Sequence, residues 1–171
     1  VDSWFVTPET ITLAGEVPAT LSGLILARMD GLSHAMRRTL QVASVLGSHL
    51  SVTLLSSLIG SGPRKTEAIL RGLVDHGFLI RLEGEVVGSY DRFAFRHALV
   101  QETVYNTLIT RDQQQLHSLV ARAIEDQMDT NSPDVMESLA YHYGASSEPQ
   151  RAVRYLLATA ELASRRCAYQ D

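Results

Sequence analysis

GFLIRLEGEVVGSYDRFAF, residues 77–95, opens on a glycine and an aromatic residue and then carries two short alternating runs around a polar middle. Gly77 suits the left-handed position that closes a helix, and Phe78 is the apolar residue that commonly follows it. FLIRL at 78–82 and RFAF at 92–95 show the period of two expected of half-buried strands, and EGEVVGSYD between them supplies the turn. A β-hairpin is expected here, and the segments on either side of it decide the fold.

Upstream, helical spacing dominates. Leu21, Leu24, Ile25, Met29 and Leu32 follow it from Ala19 onward, with Pro18 at the entry. Ser33 is placed to cap a second helix carrying Met36, Leu40, Ala43 and Leu46, which Gly47 ends. Ser51 opens a short third helix with Leu54, Leu55, Leu58 and Ile59. GSGP at 60–63 closes it, and Pro63 suits the first turn of a fourth helix bearing Ile69, Leu70, Leu73 and Val74. Helix, short helix, turn, helix and hairpin in that order predict a winged-helix domain over 18–96. Residues 1–17 read as an extended lead-in from an upstream domain.

Downstream the pattern is helical throughout. Leu99, Val100, Val104 and Leu108 mark one helix, and Thr110 with Gln113 reads as a capping box for the next, which bears Leu116, Leu119, Val120, Ala123 and Ile124. DTNSP at 129–133 is a loop and cap. Two Ala-rich helices with Tyr141, Tyr143 and Tyr155 follow, the pattern of a first helical-repeat unit within 97–171. The expected fold class is mainly α: a winged-helix domain of helices plus a β-hairpin wing, then an α-helical tetratricopeptide-like bundle.

Composition narrows the function classes. Apolar residues make up 45% and charged ones 20%, the profile of a globular chain. The net charge of −4, with Lys65 the single lysine, argues against a chain that coats phosphate backbone. Cys167 stands alone, which excludes an internal disulfide framework and reads as inert packing on an Ala-rich helix face. No apolar run reaches the roughly 18–20 residues of a membrane span, and no signal-peptide pattern appears, so a cytoplasmic location without membrane contact is expected. The start at Val1 and the stop within a helical pattern at Asp171 read as a piece of a longer chain.

Motifs for chemistry are missing. There is no GxxxxGK[ST] loop and no GxGxxG; GSGPRKT at 60–66 has the wrong spacing and follows a helix. Of His34, His49, His76, His97, His117 and His142, none forms an i, i+4 pair, and no Cys or Asp cluster completes a metal site. No serine lies in a GxSxG elbow. No catalytic residue, no metal and no cofactor of its own is expected for this stretch. The fourth helix would turn Arg64, Lys65 and Arg71 outward, the residues a DNA-binding winged helix would use on phosphates and base edges. Glu67 and Asp75 dilute them, which favours a solvated or domain-facing surface and leaves DNA as an alternative partner. Arg96-His97 is the remaining candidate, between strand and helix. In one reading His97 starts or caps the helix and bonds locally; in the other it meets a phosphate.

Four stretches carry a resemblance: VPATLSGLILARMDGLSHAMRRTLQVASVLG at 17–47, FAFRHALVQETVYNTLI at 93–109, LHSLVARAIE at 116–125 and LAYHYGASSEPQRAVRYLLATAELA at 139–163. In that order they resemble the region after the nucleotide-binding core in bacterial signal-transduction ATPases of the STAND class. The similar proteins are those joined to adenylate or guanylate cyclase, kinase or LuxR-type regulator domains. The resemblance implies a winged helix between an AAA-type ATPase core and a tetratricopeptide-like array. It implies as partners the upstream nucleotide-binding domain of the same chain and a protein bound by the repeats, with ATP or ADP and Mg²⁺ held by the parent chain. It further implies that His97, with Arg96, senses the β-phosphate of bound ADP, as a His after the wing does in related apoptosome and immune-receptor ATPases. Ala98 stands where those relatives usually have Asp. The phosphate-binding loop and the acidic Mg²⁺ motif are not in this stretch, which is therefore not expected to hydrolyse ATP unaided.

Overall fold

The computed structural model describes residues 19–82 and 91–168. The expected lead-in, Pro18 and the turn at 83–90 lie outside the described residues, as do the side chains beyond Glu161 and with them the reading of Cys167. The elements run α1 (Ala19–Asp30), α2 (His34–Leu46), β1 (His49–Ser51), α3 (Val52–Ile59), α4 (Pro63–Asp75), β2 (Leu79–Arg81), β3 (Asp91–Phe95), α5 (Ala98–Tyr105), α6 (Thr110–Gln127), α7 (Pro133–Gly144) and α8 (Gln150–Ala168). The chain is mainly helical with one small antiparallel sheet.

The helix starts follow local chemistry. Ser33 Oγ accepts from the Met36 amide at 3.3 Å and Ser51 Oγ from the Leu54 amide at 3.3 Å, each covering an amide that has no partner inside its helix. Pro63 and Pro133 occupy first-turn positions, where the missing N–H costs nothing. α6 departs from expectation. Its N-cap is Ile109, without a side-chain bond, and Thr110 is already helical, so no capping box forms. Gln113 instead sends its side-chain amide to the Tyr105 carbonyl at 3.2 Å, joining α5 to α6.

The sheet has the order β1-β3-β2. β2 and β3 pair as expected of a hairpin, Leu79 opposite Phe95 and Arg81 opposite Phe93. Burial does not alternate, however: Phe78 and Leu79 are both buried, as are Phe93, Ala94 and Phe95, because both faces of β3 are covered. β1 is an addition: His49 pairs with Ala94 and Leu50 with Phe93 before the register shifts at Ser51. Gly77 has φ +72°, the left-handed turn that carries the chain from α4 into β2.

Leu40, Leu50, Leu55, Leu70, Leu73, Phe93 and Val104 are fully buried and belong to one continuous core. Burying each such side chain contributes about 1.5–3 kcal/mol before conformational entropy is charged against it. The core crosses the sheet–helix junction, because α5 packs on α1 and α2, and α6 on α2, α3 and α7. Side-chain amides reinforce this packing: Gln101 Nε2 donates to the Ser44 carbonyl at 3.0 Å and Gln127 Nε2 to Ser57 Oγ at 2.9 Å. α7 and α8 form a close pair, and that pair lies along α6 from His117 to Glu125.

Candidate functional site

The backbone entering α5 is fixed on both sides. The Phe95 amide donates to the Ser48 carbonyl at 3.0 Å and the Arg96 amide to the Phe78 carbonyl at 3.1 Å. His97 then adopts an extended conformation at the N-cap of α5, and its carbonyl accepts from the Val100 amide at 3.0 Å. The position is the one expected of a capping residue, but the imidazole makes no capping bond and is exposed. The backbone therefore starts the helix without a bond from the ring.

The Gly77 turn lies beside this junction. A Cβ at Gly77 would sit 2.9 Å from Arg28 Nη2 and 3.8 Å from Arg96 Nη1, so guanidiniums from α1 and from the β3–α5 joint flank one turn. Arg28 also donates to the His76 carbonyl, and its guanidinium carbon lies 5.2 Å from the Phe78 ring centroid, a cation–π distance. Among the described residues neither Arg28 nor Arg96 is ion-paired. With no carboxylate paired to them among the described residues, the N–H groups of these two guanidiniums are suited to the oxygens of a phosphate or carboxylate. Sequence reasoning singled out Arg96 and His97 but not Arg28, which lies 68 residues before Arg96 and reaches the turn only through helix packing.

Arg64, Lys65 and Arg71 are all exposed on α4. Arg71 is tied to Glu67 at 2.8 Å, one helical turn away, which neutralises part of that surface. These three residues are not brought together with Arg96 and His97 in any described contact. Among the described residues no group of three or more His, Cys, Asp or Glu side chains could hold a metal ion, and no helix is long and apolar enough to cross a membrane.

Two polar clusters that the sequence reading did not identify join α6 to its neighbours. In the first, the buried rings of His117 and His142 meet Nδ1 to Nδ1 at 2.9 Å, and Tyr105 Oη stands 3.1 Å from His117 Nε2. Tyr141 meets both imidazoles edge-on, with centroids 5.6 Å from His117 and 5.1 Å from His142. Burial pushes the His142 pKa down to about 4, with the charge of His117 adding to the effect, and burial also lowers His117. In the second cluster Glu125 accepts from Tyr143 Oη at 2.5 Å, Tyr155 Oη at 2.5 Å and Arg151 Nη2 at 2.8 Å. Burial pushes the Glu125 carboxyl up, but the two phenols and the guanidinium together outweigh it and hold the pKa below the ordinary value. The signal that could have found both clusters is helical phase. His117 stands between Leu116 and Val120, and His142 between Leu139 and Tyr143, on faces whose other members are buried. A buried polar side chain needs a partner.

No family model matches the chain. It is 27% identical over 168 residues to an uncharacterized protein of Rhizobium meliloti (strain 1021), an alignment covering 95% of this chain and 16% of that protein. The chain thus spans about one sixth of the length of the curated relative it matches.

Proposed function

We propose that the chain is a non-catalytic regulatory module of a multidomain signalling ATPase of the adenylate/guanylate cyclase or transcription-regulator type. In this reading α1–α4 and the sheet form a winged helix, and α7–α8 begin a tetratricopeptide-like array. The module couples the nucleotide state of an upstream ATPase core in the cytoplasm to effector output. The single observation that carries the reading is the exposed imidazole of His97 at the start of α5, next in sequence to Arg96, whose guanidinium flanks the Gly77 turn together with that of Arg28.

Those groups are what a phosphate held by another domain would require. A contact made only when the module is docked against the core gives the docked state extra affinity for nucleotide, and by linkage gives nucleotide control over docking. The repeat part of the reading is supported by the exposed Val153, Leu156 and Leu157 on α8, an apolar stripe beside the face formed by the buried Ala152 and Tyr155. Such a stripe suits a helix with neighbours on two sides.

The test uses the parent protein, purified as wild type and with His97→Ala, and measures bound nucleotide and its exchange rate. Retained ADP that exchanges at least tenfold faster from the variant supports the switch. Equal retention and equal exchange in both proteins would overturn it. DNA binding by Arg64, Lys65 and Arg71 is the rival, and it predicts an affinity that falls steeply with salt.

A further inference from the structure

The His117–His142 contact obeys a strict proton count. Both nitrogens that meet at 2.9 Å are Nδ1 atoms, so one must carry a proton and the other must not. Two neutral arrangements satisfy the whole chain of groups. In one, Tyr105 donates to His117 Nε2 and His117 Nδ1–H donates to His142; in the other, His142 Nδ1–H donates to His117, whose Nε2–H donates to Tyr105 Oη. One additional proton still fits the hydrogen bonds, because a His117 imidazolium can donate at both ends. A second cannot, since two N–H groups would then point at each other.

The surroundings disfavour even the first charge. His117 is 0% and His142 2% exposed. The titratable groups facing them are the phenols of Tyr105 from α5 and Tyr141 from α7. Among the described residues no carboxylate bonds either ring. α3, which also packs on α6, carries no titratable side chain. From α2, Arg37 is engaged with the Met29 carbonyl and Asp30, while His34 and Arg38 are exposed. From α8, Arg151 is engaged with Glu125 and Glu148, and Arg154 lies over the Tyr155 ring.

We propose that His117 and His142 form a proton-operated latch at the α6–α7 joint, holding the α7–α8 pair against α6 while neutral and releasing it on acidification. The latch joins three elements through two rings, with α5 contributing Tyr105, α6 His117 and α7 His142. Opening lets both imidazoles reach water and take up protons at their ordinary pKa, near 6.5. The closed state binds fewer protons than the open one across this range, so closure is favoured above that value and weakens as pH falls below it. Glu125 secures the same α6–α7–α8 packing, but a carboxylate held below its ordinary value keeps its charge through pH 5. The interval from pH 7.5 to 5.0 therefore belongs to the histidines.

Amide hydrogen exchange of the full chain, corrected for intrinsic rates, tests the latch. Between pH 7.5 and 5.0 the protection of α7 and α8 should fall about thirtyfold through His142, and further through His117, while α2 amides hold theirs. His142→Gln offers His117 an acceptor that does not titrate and should reduce the response to that of one histidine. The double variant His117→Gln/His142→Gln should abolish it. ¹⁵N imidazole spectra of the wild type provide a readout that needs no variant: at pH 7.5 one of the two rings should be Nδ1-protonated and its partner Nε2-protonated. The latch is overturned if α7–α8 and α2 respond alike, if the double variant keeps the acid response, or if both rings prove to be Nε2–H tautomers.

Discussion

Tyr143 and Tyr155 lie parallel, their ring centroids 6.0 Å apart and their planes 4° from each other, and both hydroxyls end on the carboxylate of Glu125. Arg151 closes the group from above, its guanidinium carbon 4.4 Å from the Tyr143 centroid. One carboxylate thus serves side chains from α7 and α8 while standing on α6. Its side chain is 19% exposed, so water cannot readily replace the lost acceptor.

Removing that acceptor should be costly. Glu125→Ala is expected to destabilise the chain by about 3 kcal/mol, because two phenols and a guanidinium lose a charged partner. Glu125→Gln keeps one acceptor oxygen and should cost about half as much. The Glu125 pKa is lowered on folding, so the unfolded chain binds the proton more readily and the carboxylate's contribution is complete above its ordinary value near 4.5. It is lost as pH falls through the folded value. Urea unfolding of wild type and Glu125→Gln should show a gap that is constant from pH 7 to about 5.5 and narrows below 4.5. A gap that widens on acidification would contradict the assignment.

Two glycines should respond oppositely to alanine. Gly77 combines φ +72° with a Cβ position 2.9 Å from Arg28 Nη2, so Gly77→Ala should destabilise by about 1–2 kcal/mol. Gly72 is helical and its Cβ would meet the end of the Met36 side chain, the methyl at 3.0 Å and the sulfur at 4.0 Å, a flexible end that can turn aside. Gly72→Ala should therefore lie between neutral and about 1 kcal/mol stabilising, the helix-propensity gain set against that small shift. Thermal midpoints of the two variants measure the contrast.

The helix starts offer a third comparison. Ser33→Ala and Ser51→Ala each remove an N-cap acceptor and should cost about 1 kcal/mol. Ser132 holds the same position before α7 without a side-chain bond, so Ser132→Ala should cost less than about 0.5 kcal/mol. Equal losses at all three positions would show that the cap bonds at Ser33 and Ser51 contribute nothing of their own.

Much of this framework was legible in the sequence because it is local. Ser33, Ser51, Pro63 and Gly77 act within four residues of themselves, and the alternation of 78–82 and 92–95 announces a pair of strands. β1 was not legible, since the three residues of His49–Ser51 are too few to show a period and gain their ladder only from β3. Thr110 with Gln113 misled for a related reason: a three-residue spacing cannot tell whether the chain is already helical at its first member. The candidate site divides in the same way. Arg96 and His97 stand at a visible joint, whereas Arg28 and the His117–His142 pair depend on helix packing across 68 and 25 residues.

His97 and Arg28 should differ in what they contribute to stability. His97 is exposed and its ring bonds to no described residue, so His97→Ala should alter the unfolding free energy of this chain by less than about 0.5 kcal/mol. Arg28 donates to the His76 carbonyl and lies over Phe78, so Arg28→Ala should cost about 1 kcal/mol through the lost bond and ring contact. A phosphate sensor should be neutral to stability yet felt in nucleotide exchange by the parent protein. If His97→Ala instead unfolds the chain at markedly lower urea, the ring is part of the packing, and any effect on nucleotide would follow from a damaged fold rather than a lost contact.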